Sequence, residues 1–269
     1  MRWTAGRSRR VRVLTLTAAV AVACGAVVLT PASVGSAAIA RHLRLLLPAV
    51  TSTGHPFGGT AAVGALFTVR GSGLGQHFCT ASVVHSAHAD LAITAAHCVT
   101  RGASGIVFVP GYANGREPYG IWPVTAVYTD RAWQSSQDPD DDFAFLQLSD
   151  NRDGVPVEDV TGAENLGTSP GRPALVQVIG YPDDADEPVW CANLTKDFSP
   201  TQLEFDCGGY PQGTSGGPFL AHVSTASGQG TVVGVIGGYQ QGGDTDSVSY
   251  AAVLAAPAEA LFKRAQAGG

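Results

Sequence analysis

Ser215 stands in a run able to bare one hydroxyl: Gly213-Thr214-Ser215-Gly216-Gly217-Pro218. Glycines on either side allow a tight backbone turn that exposes the serine and aims amide N–H groups at a developing oxyanion. A serine hydroxyl needs a base. Thr94-Ala95-Ala96-His97-Cys98 follows the apolar Leu91-Ala92-Ile93 and places a histidine at a strand end beside a cysteine, where it is held rigidly. The base needs an acceptor that fixes its tautomer. Asp142 leads into Phe143-Ala144-Phe145-Leu146-Gln147-Leu148, an alternating apolar run that can draw a carboxylate beneath the surface. The adjacent Asp138, Asp140 and Asp141 read as turn residues.

The order His97, Asp142, Ser215 decides between two chemistries. Gly-x-Ser-x-Gly also fits the nucleophile elbow of α/β-hydrolases, in which the order runs serine, acid, histidine. Here the only histidine after Ser215 is His222, too close to occupy a separate later loop with an acid between them. The elbow reading is therefore rejected.

Elements that could hold such a constellation recur along the chain. Short apolar runs separated by turns span 61–68, 79–84, 91–94, 105–109, 121–128 and 143–148. A polar connection at 149–173 follows, then runs at 174–180, 189–194, 202–205, 218–224, 231–237 and 248–254. Six strands in each half predict an all-β protein of two six-stranded antiparallel barrels. Residues 253–267 read as a closing helix with Leu254, Leu261 and Phe262 as its apolar stripe. His97 and Asp142 fall in the first half and Ser215 in the second, so the site is expected in the cleft between them.

These motifs resemble those of secreted bacterial trypsin/chymotrypsin-like serine peptidases. His77-Phe78-Cys79-x-x-Ser82 is similar to the strand before the family's histidine, Thr94 to Cys98 to its histidine motif, and Gly213 to Pro218 to its serine motif. The likeness spans roughly 58–262. It implies a chymotrypsin-like fold and a serine endopeptidase. His97, Asp142 and Ser215 would act through an acyl-enzyme, with an oxyanion hole from the amides of Gly213 and Ser215. It implies disulfides Cys79–Cys98 and Cys191–Cys207 and a substrate pocket walled by Gly209, Tyr210, Gln212, Gly237, Gly238 and Tyr239. The backbone of the second wall would pair with substrate as an added strand. The position at the pocket base is Gly209 rather than an aspartate, which does not support cleavage after Arg or Lys. Tyr210 and Tyr239 either narrow the pocket, donate hydrogen bonds or pack against it. Thr214 departs from the family's more common aspartate, so activity is expected not to depend on an ion pair with a freed N-terminal amine. Two other readings stay open: a binding protein of little or no activity on the same fold, and an esterase-like hydrolase.

Composition agrees with an exported chain. Arg2, Arg7, Arg9, Arg10 and Arg12 precede an apolar stretch at 13–30 and small residues at Ala37, Ala38 and Ala40, which reads as a signal peptide over 1–40. An uncleaved anchor is the competing reading. Residues 41–56 are either a short propeptide or an N-terminal arm, and 57–269 the peptidase domain, with barrels at about 57–148 and 173–254. Cys24 falls within the signal, leaving four cysteines and an oxidising compartment. No Cys-x-x-Cys occurs, and no metal or organic cofactor is expected. Acids at 138–142 and 183–187 lack calcium-loop spacing and read as solvated turns. A net charge of −6 argues against a nucleic-acid surface. The expected partners are protein or peptide substrates. The chain is read as a secreted monomer, free of the membrane once the signal is removed.

Overall fold

The computed structural model describes residues 52–268 apart from 72, 169, 170 and 173. The expected signal and most of the 41–56 segment lie outside them. Strand β1 (His55–Pro56) precedes β2 (Val63–Arg70), β3 (Gly73–Val83), β4 (Leu91–Thr94), β5 (Ile106–Pro110), β6 (Trp122–Thr129) and β7 (Ala144–Leu148), with helix α1 (Arg131–Ser136) between the last two. Strands β2 to β7 close into a barrel in the order β2-β3-β4-β7-β6-β5. Alternation explains why β2 reads as one apolar run. Leu66 packs inside the barrel with Ala81, Phe108, Trp122 and Leu146. Val63, Ala65 and Phe67 face the other way, into a second core shared with Ile179, Leu220 and Val232 of the other half. Strand β3 begins six residues before the predicted run at 79–84, because Arg70 pairs with Gly73 across a tight turn and the hairpin continues without interruption.

The connection carries α2 (Val157–Thr161) and β8 (Asn165–Leu166). The second half follows as β9 (Leu175–Gly180), β10 (Val189–Leu194), β11 (Lys196–Asp197), β12 (Gln202–Asp206), β13 (Pro218–Ala221), β14 (Thr231–Val235) and β15 (Val248–Ala252). All six strands predicted there are present, but hydrogen bonds do not run round them as one ring. They form a six-stranded sheet, β1-β10-β9-β13-β14-β8, and a three-stranded sheet, β11-β12-β15. Side chains complete the enclosure. Val178, Phe219 and Val233 of one sheet meet Leu203, Phe205 and Ala251 of the other, and Phe205 and Phe219 lie 5.5 Å apart. Cys191 and Cys207 bridge the two sheets covalently.

Helix α3 (Ala256–Ala267) starts later than the predicted 253, with Pro257 in its first turn, where proline's missing N–H costs nothing. Ala258, Leu261 and Ala265 are buried at helical spacing, and Phe262 lies 5.3 Å from Phe145 of the first barrel. The opposite end also crosses over: Gly54 N donates to Gly208 O at 2.7 Å, Gly208 N to Ser52 O at 2.8 Å, and β1 pairs with β10. Residues 52–56 are thus woven into the second half, which moves the boundary of the folded body upstream of 57. No helix among the described residues is long and apolar enough to cross a membrane.

Candidate active site

Strand β4 is buried throughout and delivers His97 at its end, in a single 3-10 turn spanning Ala96–Val99. Ala95 and Ala96 are fully buried, and Cys98 is bonded to Cys79 of β3, so the turn is pinned on both sides of the histidine. Asp142 follows the 3-10 turn Pro139–Asp141, which Asp138 caps by accepting the Asp140 N–H at 3.1 Å. Its carboxylate is wholly buried and takes three hydrogen bonds. Oδ1 accepts the backbone N–H of His97 at 2.9 Å. Oδ2 accepts the imidazole Nδ1–H at 2.8 Å and the amide of Gly238 at 2.9 Å. With Nδ1 as the donor, Nε2 is left as the basic nitrogen.

Ser215 lies between β12 and β13 and is half-buried. The backbone is left-handed on both sides of it, with φ +91° at Gly213 and +80° at Gly216. Among the described residues neither the Gly213 nor the Ser215 amide donates a backbone hydrogen bond, whereas Gly216 N donates to Ile236 O and Gly217 N to Thr214 O. Ser215 and His97 line one cleft of about 640 Å³, with the Cys79–Cys98 bridge on its rim. No hydrogen bond joins the Ser215 hydroxyl to His97 among the described residues; such contacts commonly tighten only on substrate binding. Thr214 is buried and its hydroxyl donates to Pro211 O at 2.7 Å, so it is satisfied without a charged partner.

The structure divides the expected pocket walls. Tyr210 and Gln212 line the cleft; Gly209, Gly237, Gly238 and Tyr239 do not. The Tyr210 hydroxyl donates to Val178 O at 2.8 Å and is buried. The amides of the expected substrate-pairing segment have partners within the chain. The Gly237 amide donates to Tyr250 O, that of Gly238 to Asp142 and that of Tyr239 to Gln202 Oε1. Gly238 adopts φ +78°, and Gln240 and Gln241 are also left-handed, so the glycine pair folds the chain into a turn rather than an extended edge. Tyr239 stacks on Phe198 and Tyr250 instead, with ring centroids 4.7 and 5.1 Å away. The opposite wall is formed by the segment from Gln240 to Asp246, including two carboxylates that the sequence reading did not single out.

The acidic stretch at 183–187 lies behind the serine loop. Asp183 N donates to Gln212 O at 2.9 Å, and His77 Nε2 bonds Ala185 O at 3.1 Å. Burial pushes the His77 imidazole below its ordinary pKa, so it serves as a neutral anchor. Burial, then a hydrogen bond to Asp186, pushes the Tyr112 phenol up to about 12. Among the described residues the one group of potential ligands close enough to share a metal is Cys79, His97 and Cys98, whose sulfurs are bonded to each other.

Residues 79–235 match the trypsin-like peptidase domain. No curated protein sequence matches the chain. Among solved structures, the protease Anisep from Arthrobacter nicotinovorans is 24% identical with a TM-score of 0.67, covering 80% of this chain and 100% of that one. The thermostable serine protease AL20 from an extremophilic microorganism is 23% identical with a TM-score of 0.66, covering 78% and 99%. A Glu endopeptidase is 15% identical with a TM-score of 0.61, covering 80% and 97%. These three likenesses establish the fold. The family match takes in more than half the chain, including His97, Asp142 and Ser215, and on that ground the chain belongs to the trypsin-like peptidases.

Proposed function

We propose that this serine peptidase is a secreted endopeptidase that cleaves peptide bonds through Ser215, His97 and Asp142. The observation that carries the reading is the buried Asp142 carboxylate holding the His97 Nδ1–H at 2.8 Å while His97 and Ser215 share a cleft. Ser215 Oγ attacks the scissile carbonyl as His97 Nε2 takes its proton. The tetrahedral oxyanion is received by the amides of Gly213 and Ser215, a contribution of about 3 kcal/mol for each donor. His97 then protonates the leaving amine, and water hydrolyses the acyl-enzyme by the same route. Asp142 stabilises the imidazolium without taking the proton. Two disulfides fit an oxidising compartment, and the substrates are proteins or peptides.

Substrate preference follows from the cleft wall. Asp244 and Asp246 line it and, among the described residues, no lysine or arginine does, so an acidic side chain there meets like charge. A peptide library is expected to show cleavage after neutral residues and rejection of glutamate and aspartate at the same place. The occupied amides at 237–239 favour the second reading, a binding protein on the same fold. A fluorophosphonate probe separates the two. Label on Ser215, lost in Ser215→Ala together with roughly 10⁶-fold in kcat, is the result expected of the enzyme. Native protein that takes no label and cleaves nothing in the library would overturn it.

A further inference from the structure

Thr80 joins the serine loop to the first barrel through its backbone and its side chain at once. It is fully buried in β3, next to Cys79. Its amide donates to Ser215 O at 2.7 Å, and its hydroxyl donates to Gly213 O at 3.1 Å. The same hydroxyl oxygen accepts the amide of Tyr181 at 2.8 Å, at the start of the segment that packs behind Gly213. Thr94, in the histidine motif, donates its hydroxyl to Thr80 O at 2.7 Å and so fixes Thr80 in turn. The carbonyls held by Thr80 are those of Gly213 and Ser215, two cleft-lining residues whose amides donate no backbone hydrogen bond among the described residues. Gly213 has the freedom of a glycine at φ +91°, and a peptide beside such a residue can rotate unless one of its ends is held.

We infer that the Thr80 hydroxyl is a positioning group for the oxyanion hole, holding the Gly213 carbonyl so that the loop's amides stay directed at the cleft. The inference rests on the assignment of Ser215 and of the hole proposed above. It gives the loop a neutral clamp where Thr214 supplies no carboxylate for an ion pair. Thr80 lies off the cleft lining and touches no substrate, so its effect must appear in turnover rather than in ground-state binding.

The test compares wild type, Thr80→Val and Thr80→Ser on a peptide found by the library, with the folded fraction measured by thermal melting. Valine keeps the shape and removes the hydroxyl; serine keeps the hydroxyl. Thr80→Val is expected to lose roughly 10²-fold in kcat, the scale of a 1 Å misplacement, with KM nearly unchanged. Its affinity for a peptide aldehyde, which forms a tetrahedral adduct, should fall in parallel. Thr80→Ser should recover most of both, and the pH midpoint of kcat/KM should stay where it is in wild type, since His97 and Asp142 are untouched. Should Thr80→Val fail to fold, Thr80→Ala takes its place, with kcat expressed per folded molecule. Wild-type turnover in the hydroxyl-free variant, equal losses in the valine and serine variants, or a loss confined to KM would each overturn the inference. An inactive, unlabelled wild type would instead overturn the assignment of Ser215.

Discussion

At Gly213 the backbone runs at φ +91°, and a Cβ would overlap Asp183 N and come within 2.6 Å of Tyr181 O. Both obstacles are backbone atoms, so no rotamer change relieves them. Gly213→Ala is therefore expected to turn the peptide out of the hole or displace the segment behind it. The cost should be about 10²- to 10³-fold in kcat with intact secondary structure. Steady-state kinetics beside circular dichroism would check this, and an alanine variant with wild-type turnover would show that Gly213 contributes no amide. The residue types at 97, 142 and 215 could be read from sequence because each motif is local. Thr80 could not: it is an ordinary strand residue until β3 is seen beside the serine loop, and the partners of its hydroxyl, Gly213 and Tyr181, lie more than a hundred residues away. Asp244 and Asp246 escaped for a similar reason, since they reach the cleft only because Gly238 and Gly243 turn the chain there.

Twelve strands were legible because each is a burst of apolar residues between turn formers, and all twelve appear close to the predicted bounds except at the start of β3, six residues earlier. The two-residue strands β1, β8 and β11 were not, since pairing that short leaves no periodicity. The turn at Gly238 was not legible, because glycine serves an extended edge and a reversed turn equally; the Asp142 carboxylate accepts the Gly238 amide there. The division of the second half into two sheets was also hidden, because hydrophobic alternation is the same whether sheets meet by hydrogen bonds or by packing. This gives Cys191–Cys207 a defined role, as the covalent link between the sheets, with a sequence separation of 16 residues. A loop of that size predicts a loss of about 3 kcal/mol for the Cys191→Ala, Cys207→Ala double variant. Urea melts would measure it; a change below about 0.5 kcal/mol would mean that apolar packing alone keeps the sheets together.

The two halves are strapped together at both ends, the N-terminal arm lying on the second half and α3 on the first barrel, with Glu164 in the connection between them. Glu164 is fully buried: its amide donates to Val83 O, its carbonyl accepts from His85 N, and Oε2 accepts the Gly230 amide beside β14. Oε1 has no partner among the described residues, and burial pushes the carboxyl up to about 7 from an ordinary 4.5. A carboxyl raised in the folded state keeps its proton while the unfolded chain gives it up. Its contribution to stability is therefore complete below pH 4.5 and is lost as pH rises toward 7. The interval corresponds to about 3 kcal/mol. Glu164→Gln keeps the shape and cannot titrate. Relative to wild type it should gain about 3 kcal/mol between pH 4.5 and 8, measured by denaturant melts at each pH. Comparing the two proteins cancels the opposite tendency of His77, whose neutral anchor weakens on acidification. Parallel curves for the two proteins would show that water reaches Glu164 and that the junction is wetter than its geometry indicates. Divergent curves would show that the folded chain holds a proton on Glu164, at the connection between the halves, at pH values where the unfolded chain has released it.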